Sequence, residues 1–392
     1  MSLRYIIRRA ESFLRELANG FPVIVITGPR QSGKTTLARH VFPEKEYTSL
    51  EDPDTRRFAE EDPRGFLDRY SEGAVFDEVQ KAPELLSYLQ RQVDEAQRAG
   101  LYVLTGSQQF DVLSGVSQSL AGRAALLSLL PFSAAELAKA GKARETLEET
   151  IFSGGYPPIF SRDVKPAVWL GNYIRTYLER DVRTMVNVRD LGLFRDFTRL
   201  CAGRTGQILN LSALASDCGI SHNTARGWLS VLEASYIVHL LPPYYRNFNK
   251  RITKSPKLHF IDTGLAARLL GIENYRQIET HPLRGALFES YVVSEFLKSR
   301  LNEGREPNLF FWRDNHGVEI DLVVEDGGKI DFYEIKSGKT VPGDFQRNLA
   351  LLRERARDLA GRSGLIYGGD ETFSFKGFEI RSWRNLAGLP WA

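Results

Sequence analysis

Cysteine is nearly absent: Cys201 and Cys218 are the only two among 392 residues. Two thiols cannot build a disulfide framework, and no CxxC pair occurs, so a reducing cytosol is the compartment that fits. The histidines His40, His222, His239, His259, His281 and His316 show no zinc spacing with them. No GxSxG elbow is present. Apolar runs stay short of the roughly 18 residues that a membrane span needs. Arg4, Arg8, Arg9 and Glu11 stand where a signal peptide would carry its apolar stretch. An excess of one charge is missing too, since 52 Lys and Arg face 49 Asp and Glu. So even a balance does not by itself attract nucleic acid, and any basic surface must be local.

What is present reads as globular. A 42% hydrophobic share with 26% charged residues excludes a collagenous or disordered chain. The length suits two to three domains, expected at 1–150, 151–265 and 266–392. In the first, Val23-Ile24-Val25-Ile26-Thr27, Ala74-Val75-Phe76 and Leu101 to Thr105 are short apolar runs between helical patterns. Buried parallel strands with crossover helices read this way. Ala138 to Thr150 reads as an exposed helix or linker, and Gly154-Gly155-Tyr156-Pro157-Pro158 as a turn. Residues 166–235 are mostly helical in pattern. Beyond 258 a helix over 285–301 leads to strands at 309–312, 318–325 and 330–335, a helix over 345–357 and a strand near 364–367.

The sharpest motif is Gly28-Pro29-Arg30-Gln31-Ser32-Gly33-Lys34-Thr35, a GxxxxGK[ST] sequence that follows a strand and opens a helix over 35–41. Its glycines let successive N–H groups face phosphate oxygens, and the helix N-terminus adds partial positive charge. Lys34 reaches the β- and γ-phosphates, Thr35 ligates Mg²⁺, and Thr36 belongs to the same cradle. Asp77 and Glu78 end the second apolar run. An acid at a buried strand tip holds the Mg²⁺ water shell, and its neighbour polarises the attacking water. Thr105-Gly106-Ser107-Gln108 ends the third run. Ser107 either orients water or the γ-phosphate, or it is a turn residue. Arg123 is either an arginine finger, in cis or in trans, or one half of a surface ion pair.

These residues carry a family resemblance. The run from the P-loop through Phe76-Asp77-Glu78-Val79-Gln80 and Thr105-Gly106-Ser107 to Leu120-Ala121-Gly122-Arg123 resembles the AAA-type ATPases of bacteria and archaea that carry a fused C-terminal domain of unknown function. The likeness continues through Gly154-Gly155-Tyr156-Pro157, Tyr177-Leu178-Glu179-Arg180-Asp181 and Lys257 to Leu265, and so covers nearly the whole chain. It implies ATP binding and hydrolysis on Lys34, Thr35, Asp77 and Glu78, with Mg²⁺. Arg180-Asp181, with Arg183 and Arg189 nearby, is part of the likeness without a physical role beyond a charged helix face or a contact to the ATPase domain.

In the middle, Leu211 to Gly219 reads as a short helix closed by glycine, and Ser221 caps a second helix over 222–233. That is a helix-turn-helix pattern, with Thr224, Arg226 and Gly227 outside and Leu229 and Leu232 inside. Tyr244 to Lys257 follows, with basic residues, interleaved aromatics and no acid. It reads as the hairpin of a winged helix. Residues 211–257 thus offer either a DNA contact or a protein-binding module. Trp228 and Trp312 read as packing residues.

Near the C-terminus, Asp321 opens an apolar strand, and Glu334 and Lys336 share one face of the next. An Asp facing Glu-x-Lys across a hairpin can gather Mg²⁺ or Mn²⁺, with the Ile335 carbonyl as a further ligand and Lys336 activating water against a phosphodiester. This resembles the PD-(D/E)XK nuclease superfamily, with Glu289 matching its helix acid and Gln346 a position often polar. The alternative is an exposed strand face with cross-strand ion pairs. The expected fold is therefore α/β: a P-loop NTPase parallel sheet, a helical and winged-helix segment, then a PD-(D/E)XK-like domain. The expected function is Mg²⁺-dependent ATP hydrolysis, with DNA as partner and a possible second metal. The alternatives are a slow ATP-dependent switch that binds a protein, its nuclease-like core inactive, and a non-hydrolysing regulator, against which the intact Glu78 argues.

Overall fold

The computed structural model describes residues 5–107, 119–178, 190–244, 255–314 and 316–388. Gln108, the stretch Glu179 to Arg189 and the basic run 245–254 lie outside the described residues.

Strands β1 (Val23–Thr27), β2 (Glu46–Ser49), β3 (Ala74–Asp77), β4 (Tyr102–Thr105) and β5 (Ala124–Ser128) form a parallel sheet in the order β2-β3-β4-β1-β5. Both faces are covered, which is why the central strands read as unbroken apolar runs. Ile24, Ile26, Val75 and Val103 pack against helices Glu11–Gly20 and Lys34–Val41. Val23, Val25, Phe76 and Leu104 pack against Pro53–Glu61, Pro63–Arg69 and Leu85–Ala96. Each such Val, Ile, Leu or Phe contributes about 1.5–3 kcal/mol of burial. Ligand chemistry belongs at the C-terminal strand ends, where residues 28–33 leave β1 and Glu78 leaves β3.

This register corrects one expectation. β5 lies beside β1 with Ala124 opposite Val23 and Ser128 opposite Thr27. Arg123 therefore sits at the N-terminal edge of the sheet, about 20 Å of strand from the level of Gly28 at the start of the P-loop. It is bonded to Asp94 at 2.6 and 2.8 Å. It is a surface ion pair and not a cis finger for its own nucleotide.

Ala138 to Thr150 is not one exposed helix. It spans the end of helix Ala134–Lys139 and the start of Leu147–Ser153, with Leu147 buried. Helices Leu191–Gly203, Leu211–Cys218 and His222–Ala234 follow, with β6 (Gln207–Ile208), β7 (Val238–Leu241) and β8 (Lys257–Phe260) in an antiparallel sheet of order β6-β8-β7. Asn210 and Ser221 cap the second and third of these helices, accepting from Ala213 N at 3.0 Å and Thr224 N at 3.1 Å. Trp228 packs edge-on to Phe194 and Phe197, Leu229 and Leu232 are buried, and Arg226 is exposed. Both described ends of the presumed hairpin, Tyr244 and Lys257, are buried, so neither faces a phosphate.

The C-terminal sheet comprises β9 (Leu309–Arg313), β10 (Glu319–Asp326), β11 (Lys329–Lys336), β12 (Ala360–Tyr367), β13 (Phe373–Phe375) and β14 (Phe378–Ser382) in the order β13-β14-β12-β11-β10-β9. β9, β10 and β11 are antiparallel neighbours, while β12 runs parallel to both β11 and β14. Helix Arg284–Asn302 covers one face and Gln346–Ala356 the other.

Two glycine motifs distant in sequence lock together. Asp262 accepts from Gly155 N at 2.7 Å and caps helix Thr263–Leu269 through Leu265 N at 2.9 Å. A Cβ on Gly154 would lie 2.2 Å from Asp262 Oδ1, so glycine is required there. No helix among the described residues is long and apolar enough to cross a membrane.

Candidate functional site

The loop 28–33 is held open by its backbone. Gly28 has φ +142, and a Cβ there would lie 2.1 Å from the Leu129 carbonyl oxygen. Gly33 is left-handed at φ +95, directly before helix Lys34–Val41. Lys34 is buried, and its Nζ donates to the Gly28 and Pro29 carbonyls at 3.0 and 2.9 Å. Burial pulls its pKa down to about 8, against the opposing pull of Glu78 and Asp77. Thr35 Oγ1 donates to Asp77 Oδ1 at 2.9 Å; Thr105 donates to the same oxygen, and Tyr47 to Asp77 Oδ2 at 2.9 Å. Glu78 is itself left-handed, φ +56, and accepts from Ser107 Oγ at 3.1 Å and from Gln80 Nε2. Lys34, Thr35, Asp77, Glu78 and Ser107 thus converge from β1, β3 and β4.

A cavity of about 350 Å³ opens over Lys34, Thr35, Asp77 and Glu78. Arg30, Gln31, Gly33 and Thr36 line it, and Ile6, Phe132, Pro157 and Pro158 supply apolar wall. The hydroxyl of Ser32, inside the loop, is buried without a hydrogen-bond partner among the described residues. A hydroxyl paired with a carboxylate, an ammonium and an unsatisfied loop hydroxyl suit a Mg²⁺–nucleoside triphosphate. Thr35 and Asp77 would hold Mg²⁺, which would shield the phosphate charge. Lys34 would leave the loop carbonyls for the phosphate oxygens. Glu78, fixed by Ser107 and Gln80, would orient water.

Several supports of the site had no signature in the sequence. Arg8 is buried and donates to Ser32 O at 2.8 Å, Leu130 O at 2.6 Å and Glu136 at 2.9 Å, so it braces the P-loop while lining the same cavity. The Tyr236 hydroxyl lies 2.8 Å from Thr27 Oγ1 and 3.1 Å from Ser128 Oγ, and Tyr173 donates to Arg30 O at 3.2 Å. The middle unit therefore touches both the strand end that leads into the loop and the loop itself. On helix Arg284–Asn302, Lys298 donates to Phe132 O at 3.2 Å and Glu295 accepts from Ala134 N at 2.7 Å. Among the supporting residues, Gln80 and Thr105 lay in motifs already noted.

The lowered Lys34 has a measurable consequence. Phosphate binding needs the ammonium, whereas the free protein loses that proton above about pH 8. ATP affinity should fall as pH rises beyond about 8, by up to about tenfold per unit, with proton uptake on binding. Calorimetry in two buffers of different ionisation enthalpy measures that uptake; its absence at pH 9 contradicts the assignment.

At the second motif, β10 and β11 form the expected hairpin, with Leu322 opposite Tyr333, so Asp321 faces Glu334. Asp321 Oδ2 accepts from Ile335 N at 2.8 Å and from Lys336 Nζ at 3.2 Å; Lys336 also pairs with Glu334 at 2.9 Å. The Ile335 group in use is thus its N–H. Asn348, and not a residue singled out from sequence, donates to Glu334 at 3.4 Å. Glu289 approaches from helix Arg284–Asn302 but pairs with Lys257 at 2.8 Å. Burial and the nearby Asp321 charge raise the pKa of both Glu289 and Glu334. Among the described residues no group of three or more His, Cys, Asp or Glu side chains is placed to hold a metal ion. The expected metal role of Glu289, Asp321 and Glu334 is therefore not supported.

The parallel sheet, the loop and its acids define an AAA-type P-loop ATPase, and the AAA domain family matches residues 20–138. Two domains of unknown function match 144–276 (DUF8612) and 284–386 (DUF4143). The chain is 33% identical over 373 residues to the proteins Rv2008c of Mycobacterium tuberculosis and Mb2031c of Mycobacterium bovis, covering 93% of this chain and 81% of each relative. It belongs to the same family as these mycobacterial proteins. Among solved structures it is similar to the Walker-type ATPase PABY2304 of Pyrococcus abyssi, at 16% identity and a TM-score of 0.47, over 66% of this chain and 94% of that one. AMPPCP-bound DnaA from Aquifex aeolicus also matches, at 15% identity and a TM-score of 0.29, over 57% and 85%.

Proposed function

We propose that the protein is a Mg²⁺-dependent ATP hydrolase whose cycle is coupled to DNA through its middle unit. The observation that carries the ATPase reading is the convergence on one cavity of Lys34, the bonded pair Thr35–Asp77, and Glu78, which Ser107 holds. The domain division at 1–150, 151–265 and 266–392 goes with this reading. For the middle unit, three helices around the small β6-β8-β7 sheet support a winged helix, with Arg226 exposed on its third helix. Contacts of Tyr236 to Thr27 and of Tyr173 to Arg30 supply a physical path between nucleotide and middle unit.

A second reading keeps the ATPase but has it switch a protein partner, with a catalytically silent C-terminal core. The lysine-filled acid set favours it. ATP turnover with and without duplex DNA at low salt separates the two. The first expects severalfold stimulation that fades with salt, is lost with Lys34→Ala, and weakens with Arg226→Glu. Turnover indifferent to DNA assigns the protein to the second.

A further inference from the structure

The sequence pattern around Asp321 calls for a divalent ion, and the side chains there supply monovalent ones. Lys336 lies between Asp321 and Glu334 on the open side, at 3.2 and 2.9 Å. On the closed side stands Lys257, with its side chain only 3% exposed. It comes from a different sheet: β8 pairs with β6 and β7 in the middle unit. Its Nζ lies 2.8 Å from Glu289, 2.5 Å from Glu319 and 3.8 Å from Asp321. The Phe311 ring is 5.5 Å away on a further side. Arg313 takes the other Glu319 oxygen at 3.3 Å.

An ammonium is a compact cation with three donors. Here it spans the helix acid and the strand acids, which are the groups a metal ion would have to gather. A divalent ion entering the same space would meet two lysines already bound to the oxygens it needs. One further donor stands idle at the edge. His259 is buried, and its Nε2, 3.8 Å from Glu289, has no hydrogen-bond partner among the described residues.

We infer that Lys257 is the resident cation of this acid set, fastening the middle unit to the C-terminal sheet and keeping divalent metal out. The inference is independent of the ATPase reading. The site becomes a lysine-filled joint between two domains, and a metal centre only when Lys257 is withdrawn.

Mn²⁺ titration of the nucleotide-free full chain tests this, with Asp321→Asn reporting on the site and the circular dichroism spectrum reporting on folding. Wild type and Asp321→Asn should take up Mn²⁺ equally. Lys257→Met should gain one additional ion that the Lys257→Met/Asp321→Asn double variant lacks, and Mn²⁺ should raise the melting temperature of Lys257→Met alone. Lys257→Gln, which keeps a donor in place, substitutes if the methionine variant does not fold. A Mn²⁺ ion bound by wild type and lost in Asp321→Asn overturns the inference. So does a folded Lys257 variant that gains no ion.

Discussion

Replacing Glu78 with glutamine should lower ATP turnover by about 10²- to 10⁴-fold, the range for loss of a general base. Glutamine keeps the size and the hydrogen-bonding reach of the side chain, so Ser107 and Gln80 can still hold it. What it loses is the charge that orients and polarises water. Nucleotide binding rests on Lys34, Thr35 and the loop amides and should stay within about threefold, well under the roughly 1.4 kcal/mol of a tenfold change. Lys34→Ala should lose binding and turnover together, because its ammonium meets phosphate in the ground state as well as the transition state. Steady-state kinetics beside equilibrium binding of a fluorescent ATP analogue distinguishes the two patterns. Near wild-type turnover in Glu78→Gln excludes Glu78 as the base.

Removal of Arg8 should give the largest loss of stability. Its side chain and that of Glu136 are 3% and 0% exposed and 2.9 Å apart. Breaking a buried pair from one side leaves the other charge unpaired, at a cost of about 3–5 kcal/mol. Arg8→Met should therefore show a correspondingly lower midpoint of urea unfolding. Glu136 retains the Arg9 and Ser133 amides as donors, at 2.8 Å each, which places the loss toward the lower end of that range. Adding Glu136→Gln should return part of the stability. ATP affinity should not return with it, because the Ser32 carbonyl still lacks its Arg8 donor. A double variant with wild-type affinity would mean that Arg8 braces the fold and not the loop.

The P-loop and the acids of β3 were legible because their signals are local. A continuous apolar run, a glycine turn and a helix start are all read within a few residues of one another. The edge strands were not. β2, Glu46–Ser49, and β5, Ala124–Ser128, each have a sheet neighbour on one side only and are partly exposed; β2 is polar, and the Ala-Ala-Leu-Leu-Ser of β5 lacks the β-branched and aromatic residues that mark a strand. Lys257 was misread for a different reason. It ends a basic run, and charge alone does not say whether a lysine meets phosphate or carboxylate. Its partners Glu289, Glu319 and Asp321 arrive from distant helix and strand positions. For Arg123 the sequence left a finger and a surface ion pair open, since it does not say which edge of a sheet a turn occupies, and the structure shows the pair with Asp94. The motifs around Gly154 and Asp262 were visible separately, and only packing explains each by the other.

Helix Arg284–Asn302 has Glu289 in the Lys257 cluster and, about 9 to 14 Å further along, Glu295 and Lys298 holding the backbone of Phe132 and Ala134. Phe132 is also wall of the nucleotide cavity. The ATPase is therefore not a detachable module. A chain cut before Arg284 would keep every motif residue of the nucleotide site and still lose Lys298 and Glu295, the side chains that hold its wall. What looks in sequence like an enzyme with two appended domains is, mechanically, one enzyme whose binding site is finished by its own far end.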